Sequence, residues 1–586
     1  MKKRRRRHRK RSQLSQLISK IGMPKILIAT GIVLAVLVVL ILVIALKRKP
    51  LDEAVQTHHA LYFKQSENGG VSYVDAEEGK AKQMTDMLLY GNSMDVLALE
   101  RTAETHKGLV QTSADGSRVF FPVEMKKTDN FKLYYRDVDK KNAPAVVLAA
   151  DVTSYKISAD GSLVTYKLND GMLYQHDLNE RTQISDKVIS YYVSQDGKQV
   201  VYTTMDRMAY WYQDGKSNKI GKDITSIHAF SEDGKTVYYT QEQELYVKKN
   251  GKDAVKIDAD VNAVHTIYDT GEIYYVKYSS QELTLKDYVE NDAEVAAEIK
   301  NAVENSKLEW NSYELFYYDG AKTKSIAKNV EYDDIKTAAN RAVVMYSVCD
   351  MKIAEKIKIS TIANTWSVDS VMHDVLESAK NYQVAVKGKT TSMEQKGIHT
   401  ICISQDGDTI YFVADVVPNQ EGSSLVFGTL YQVEVSKDEA KKAKEYDTEV
   451  YVNNIGFAGK EGVFYYKKVQ QVSTFFQGEL YVNKACASEK AKVGSAICYR
   501  ETGNDTVYFI DSWQYQKSMG AFQKFEKGKT ISIFNAVHSF YVAPAGDVFF
   551  LGKYNVDTFT GALYLYEANA TTKVDDDVIA ILYQNK

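Results

Sequence analysis

Cysteine and proline are scarce in this chain, and acidic residues are missing from one end of it altogether. Four cysteines, Cys349, Cys402, Cys486 and Cys498, exclude a disulfide-dense scaffold, and none of them has the C-x-x-C spacing of a zinc site. A Cys486–Cys498 bridge and two free thiols are both open, so the redox compartment does not follow from them. Residues 1–50 hold 14 Lys or Arg and no acid, whereas residues 51–586 hold 60 bases against 76 acids, a net of −16. So acidic a surface excludes nucleic-acid binding through the bulk of the chain, because neutralising phosphates takes clustered Lys and Arg.

Reaction motifs are missing as well. No H-E-x-x-H or H-x-H pair occurs among the ten histidines, no D-x-[DN]-x-[DN]-G calcium loop is present, and there is no S-x-D-x-G-x-T-W box. His228 and His265 stand 37 residues apart, each leading into a turn, and would share a metal or anion only if both faced one channel. Half-buried strand positions are the commoner fate of such residues. The run Asp575-Asp576-Asp577 could recruit calcium, but it lacks the spacing of a loop site. No cofactor is expected.

What is present begins with Ile26 to Leu46, 21 residues without a charge. At about 1.5 Å per residue this segment spans a hydrocarbon core of roughly 30 Å. It exceeds the apolar core of a signal peptide and is followed by Lys47-Arg48-Lys49-Pro50 with no small-residue cleavage site. Eleven bases precede it and three follow, so the positive-inside rule keeps the N-terminus in the cytoplasm and places everything after about Pro50 outside. The expected organisation is a basic tail (1–25), a transmembrane helix (26–46), a linker (47–59) and two sets of repeats (60–330 and 331–586). The tail serves first as a topology determinant and second as a contact for anionic lipid headgroups.

The repeats carry the fold. A Ser-x-Asp-Gly turn recurs with Asp115-Gly116, Asp160-Gly161, Asp196-Gly197, Asp233-Gly234 and Asp406-Gly407, the first four at spacings of 45, 36 and 37 residues. Ser and Asp hydrogen-bond the local backbone and Gly accepts φ > 0, giving a tight turn into a β-branched, aromatic strand. A second strand follows, marked by Leu-Tyr or Leu-Phe at residues 133, 173, 245, 315, 430, 480 and 563, and by Ala209-Tyr210. Repeats of this period signal solenoids or propellers, and the absence of a 3.6-residue pattern excludes a helical solenoid. These turns resemble those of the TolB-like, WD-related propellers, with Ala, Gln or Glu where that family's turn has Pro. The resemblance implies an all-β propeller fold, either one ring of about eight blades or two smaller rings, and leaves the partner open.

Similar repeats accompany the α/β-hydrolase domain of the prolyl oligopeptidase family. That domain needs a G-x-S-x-G elbow, and none occurs here. Two stretches interrupt the rhythm: 291–310 and 367–380 both show helical apolar spacing, with Asn291 or Asp292 as N-cap of the first. Ser436, opening the capping box S-K-D-E, predicts a short third helix. The sequence therefore points to a non-catalytic, membrane-anchored extracytoplasmic propeller that binds or scaffolds another cell-envelope protein. A carbohydrate or cell-wall module using exposed tyrosines is the alternative, and an unrecognised enzyme site in the channel a third reading.

Overall fold

The computed structural model describes residues 59–582, apart from 65–70, 76–78, 84–109, 125–129, 139, 141–142, 366–367, 419–424, 500–505 and 544–545. All of these belong to one compact unit, Thr57–Lys586. The apolar segment Ile26–Leu46 and the basic tail lie outside the described residues; among the described residues no helix is long and apolar enough to cross a membrane.

Antiparallel units of four strands succeed one another along the chain. In one, Val188–Val193, Gln199–Thr204, Ala209–Gln213 and Lys216–Gly221 pair in sequence order. The next repeats the arrangement with Ile224–Phe230, Thr236–Gln241, Glu244–Lys249 and Val255–Asp258. The Asp-Gly turn joins the first strand of a unit to the second, and the Leu-Tyr element is the third strand.

Aromatic residues hold the second and third strands together. Directly opposed pairs recur in unit after unit: Tyr166–Tyr174, Tyr202–Tyr210, Tyr239–Tyr246, Phe412–Tyr431, Tyr465–Tyr481 and Phe550–Tyr564, with ring centroids 5.2–5.6 Å apart. Such cross-strand pairs contribute about 0.2–1 kcal/mol each. Many of the chain's tyrosines serve this way, and Tyr62, Tyr73, Tyr166, Tyr274, Tyr275, Tyr346, Tyr411, Tyr465 and Tyr466 are among the largest fully buried side chains.

Successive units share apolar cores. Leu173 packs with Val188, Val200 and Tyr202, and Val201 and Trp211 pack with Ile227, Val237 and Tyr239. Around residue 330, Tyr274, Leu315 and Val330 pack with Val344 and Tyr346. Some strands serve two units: Val146–Ile157 pairs Phe131–Asp137 up to Val152 and Val164–Leu168 from Val152 on, pivoting at Asp151 with φ +57°. The last strand, Ala570–Leu582, does the same across the whole chain. Its first part pairs Thr560–Glu567, and its end pairs His59–Lys64, with Leu61 opposite Leu582 and Phe63 opposite Ala580. Tyr62 and Val74 thus share a core with Phe549 and Leu563.

The helices differ from expectation in three places. The first, α1 (Ala297–Asn305), is shorter than 291–310, because residues 307–310 extend the strand Lys307–Tyr318 and pair with 281–284. Its N-cap is Ala296, not Asn291 or Asp292. The second interruption holds α2 (Ile359–Thr365) and α3 (Val368–Ser378), and α3 buries Val371, Met372, Val375 and Leu376 at the predicted spacing. At Ser436 there is no helix; the capping box closes only a loop, in which Ser436 Oγ accepts the Glu439 N–H (3.2 Å).

Candidate binding face

Strand direction sorts every feature to one of two ends. The Asp-Gly turns lie where second strands begin; the opposite end is where second and fourth strands finish.

At the turn end the repeat builds a sealed arc. Ser113 Oγ–H donates to Asp115 Oδ1 (2.6 Å) while Ser113 Oγ accepts the Arg118 N–H (3.0 Å), and Asp115 Oδ1 accepts the Ser117 N–H (3.0 Å). Ser158 with Asp160, Ser194 with Asp196, Ser231 with Asp233 and Ser404 with Asp406 repeat the serine–aspartate bond at 2.6–2.7 Å. Burial opposes ionisation of Asp115, Asp160 and Asp406, but hydrogen bonds from Ser113, Ser158 and Ser404 and the following backbone outweigh it and hold each carboxyl below its usual value. Adjacent turns are linked: Ala114 N–H donates to Ala159 O (2.7 Å), Ala159 N–H to Gln195 O (2.8 Å) and Gln195 N–H to Glu232 O (2.8 Å). Gly116, Gly161, Gly197, Gly234 and Gly407 all have φ near +70°. These aspartates are therefore committed to turn geometry.

The opposite end is elaborated. The hairpin of Ile273–Thr284 and Lys307–Tyr318 runs far beyond the neighbouring ones and carries α1, while α2 and α3 sit between the second and third strands of the next unit. The two insertions merge into one module. Leu283, Leu285, Val303 and Trp310 from the first bury against Ile359, Val371, Met372 and Leu376 of the second. Val289–Glu290 and Ile357–Lys358 form a small parallel sheet. Asp292 accepts both the backbone N–H (3.0 Å) and the Oγ–H (2.6 Å) of Ser360, so the residue expected to cap its own helix caps the other insertion's. Lys380 anchors α3 to the sheet through Glu377 (2.6 Å) and Asp334 (3.1 Å); burial would lower its pKa, but these carboxylates outweigh that and raise it. Beside α1 lies a cavity of about 560 Å³ lined by Lys286, Asn291, Asp292, Glu294 and Lys300 among others.

A second cavity of about 510 Å³ opens at the same end, between Asp415, Phe427, Thr448, Glu449 and Lys468. Asp415, Glu449 and Lys468 have φ of +51°, +56° and +48°. Each sits at a register shift in its strand's pairing, a conformation without local sequence signature and hence invisible in advance.

The histidines hold separate partners. His228 Nε2 meets Thr240 Oγ1 (2.6 Å), and His265 Nδ1 meets Thr266 Oγ1 (3.3 Å). Burial lowers both pKa values, that of His228 to about 4. Among the described residues, no group of three or more His, Cys, Asp or Glu side chains is placed to hold a metal. Among the described residues no disulfide forms; Cys498 Sγ accepts the Gly459 N–H (3.0 Å) and is not bridged to Cys486. Asp575 joins the last described strand to the first, accepting Tyr62 Oη–H (2.7 Å) and pairing with Lys64 Nζ (2.6 Å).

No family model matches the chain, and no curated protein matches it. Solved structures resemble it at low identity. The tricorn protease is 12% identical over 89% of this chain, with a TM-score of 0.25, and the match spans 57% of that protease's length. A eukaryotic initiation factor is 8% identical, with 90% of this chain and 98% of that one covered and a TM-score of 0.35. The C-terminal WD40 domain of Sif2 is 9% identical, covering 60% of this chain and 89% of that domain at a TM-score of 0.25. The described chain is itself mostly β, and propeller-like structures are among those similar to it.

Proposed function

We propose that this chain is a single-pass membrane protein whose extracytoplasmic β-propeller binds another cell-envelope protein, without catalysis, through the end that bears the helical module. The anchor is the uncharged segment Ile26–Leu46 with its basic flank, which also contacts anionic lipid. The four-stranded units are blades, and the ring is closed where 578–582 pairs with His59–Lys64, one strand from each extremity of the fold. Apolar cores shared by every pair of consecutive units, including those around residue 330, favour one ring over the two smaller sets expected from the spacing.

The observation that carries the reading is the fusion of two separate insertions into one packed module with a core of its own. A blade edge needs no such structure, whereas a rigid scaffold with elaborated loops at one end suits recognition. The absence of a G-x-S-x-G elbow supports a binding role over hydrolysis. Crosslinking the tagged full-length protein on intact cells, followed by mass spectrometry, tests it. A discrete envelope protein joined to 285–306 or 359–378 supports the proposal; recovery of nothing above background sinks it.

A further inference from the structure

The extended ribbon of Ile273–Thr284 and Lys307–Tyr318 has two faces. One buries Leu283, Trp310 and Ser312 against the module and the neighbouring strands. The other turns Tyr278, Ser280, Glu282, Glu309 and Asn311 to solvent.

On that open face four rings follow one another. Tyr278 and Tyr313 stand 6.1 Å apart, Tyr313 and Tyr332 5.4 Å, and Tyr332 and His265 6.0 Å. Tyr278 is 49% exposed and Tyr332 38%, in a protein that packs most of its tyrosines inside. Packing does not account for these two. Polar groups flank the rings: Tyr278 Oη–H donates to Asn311 Oδ1 (2.5 Å), Ser280 lies opposite Asn311, and Lys307 pairs with Glu282 (2.6 Å).

We infer that the Tyr278–Tyr313–Tyr332 track is a binding surface for a neutral or N-acetylated polysaccharide chain. A pyranose ring offers an apolar face edged by hydroxyls, so its site needs exposed aromatic faces with amides, hydroxyls and carboxylates at their edges. This side of the ribbon presents exposed tyrosine rings with an amide, hydroxyls and carboxylates around them. A protein partner favours an apolar, charge-depleted core, yet among the described residues no aliphatic side chain is exposed on this face beside the tyrosines, and Glu282 and Glu309 stand there instead. A domain of net charge −16 repels anionic polymers. The module's own surface is not involved, so this inference stands apart from the proposed envelope-protein contact.

Affinity electrophoresis of the full-length protein in detergent, through gels containing a neutral β-glucan, an N-acetylglucosamine polymer or polygalacturonate, tests the site. Retardation by one of the first two and not by polygalacturonate is expected. Tyr278→Ala and Tyr332→Ala should each weaken it about tenfold, with unchanged thermal unfolding, while Tyr278→Phe keeps most of it. A second readout needs no variant: the retarding glycan should protect Tyr278 and Tyr332 of the native chain from nitration. Absence of retardation by either glycan, retardation undiminished in the double alanine variant, protection of neither tyrosine, or binding only to a polyproline peptide would overturn the inference.

Discussion

A Cβ atom added at Gly197 would fall 2.8 Å from the Cβ of Ser158 in the preceding turn, and Gly197 itself sits at φ +74°. The same relationship joins Gly161 to Ser113 at 3.0 Å and Gly234 to Ser194 at 2.9 Å. Each turn glycine therefore serves two ends: it adopts a left-handed backbone and lets the neighbouring turn close upon it. Gly215 has the same backbone, φ +76°, with open space around it. Gly215→Ala should cost only the conformational penalty, about 1 kcal/mol, and Gly197→Ala about 3 kcal/mol, since overpacking adds to it. Equal losses in urea unfolding would mean that turn stacking is energetically idle.

The pairing of the first described strand with the last is tied by a long-range contact. Asp575 binds both Tyr62 and Lys64, which lie at the other extremity of the described chain. Asp575→Ala should lower stability by about 2 kcal/mol, the scale of a hydrogen bond to a charged group. It should also speed hydrogen exchange in 59–64 and 578–582 before any other strand.

His228 makes stability depend on pH. Burial lowers its pKa to about 4, from an unperturbed 6.5, so the unfolded chain binds a proton in a range where the folded chain does not. Its contribution is complete above pH 6.5 and is lost as pH falls toward 4. Between pH 7 and pH 5 the native protein should lose about 2 kcal/mol more than the His228→Gln variant. Identical pH profiles would show that folding leaves the His228 pKa unshifted.

The helical module should behave as one cooperative unit. Met372 is fully buried between the two insertions, and Met372→Ala should cost about 2–5 kcal/mol locally. Exchange protection should fall together in 285–306 and 359–378 while the sheets keep theirs. Loss confined to 359–378 would mean that the insertions fold separately.

What was legible in the chain was what is local. The Ser-x-Asp-Gly turns and the strands after them follow from residues within a few positions of one another, and so does the apolar face of α3. The pairing of His59–Lys64 with 578–582 leaves no trace in either segment, because a strand pattern does not name its partner. The helix expected over 291–310 stops at Asn305 because 307–310 gain a full set of cross-strand partners, and tertiary pairing overrides propensity. Asp292 was rightly a capping side chain and wrongly matched to its helix. The aromatic track needed the structure, since only burial separates Tyr278 and Tyr332 from the tyrosines of the core.

The most direct test of the account compares the two ends of the fold on intact cells. Photo-crosslinking residues would be placed singly at Glu294 and Lys300, exposed on the module, and at Lys198 and Lys235, exposed beside the Asp-Gly turns. One envelope protein should be captured from Glu294 and Lys300 and not from Lys198 or Lys235. Capture from the turn end alone, or from neither end, would contradict it.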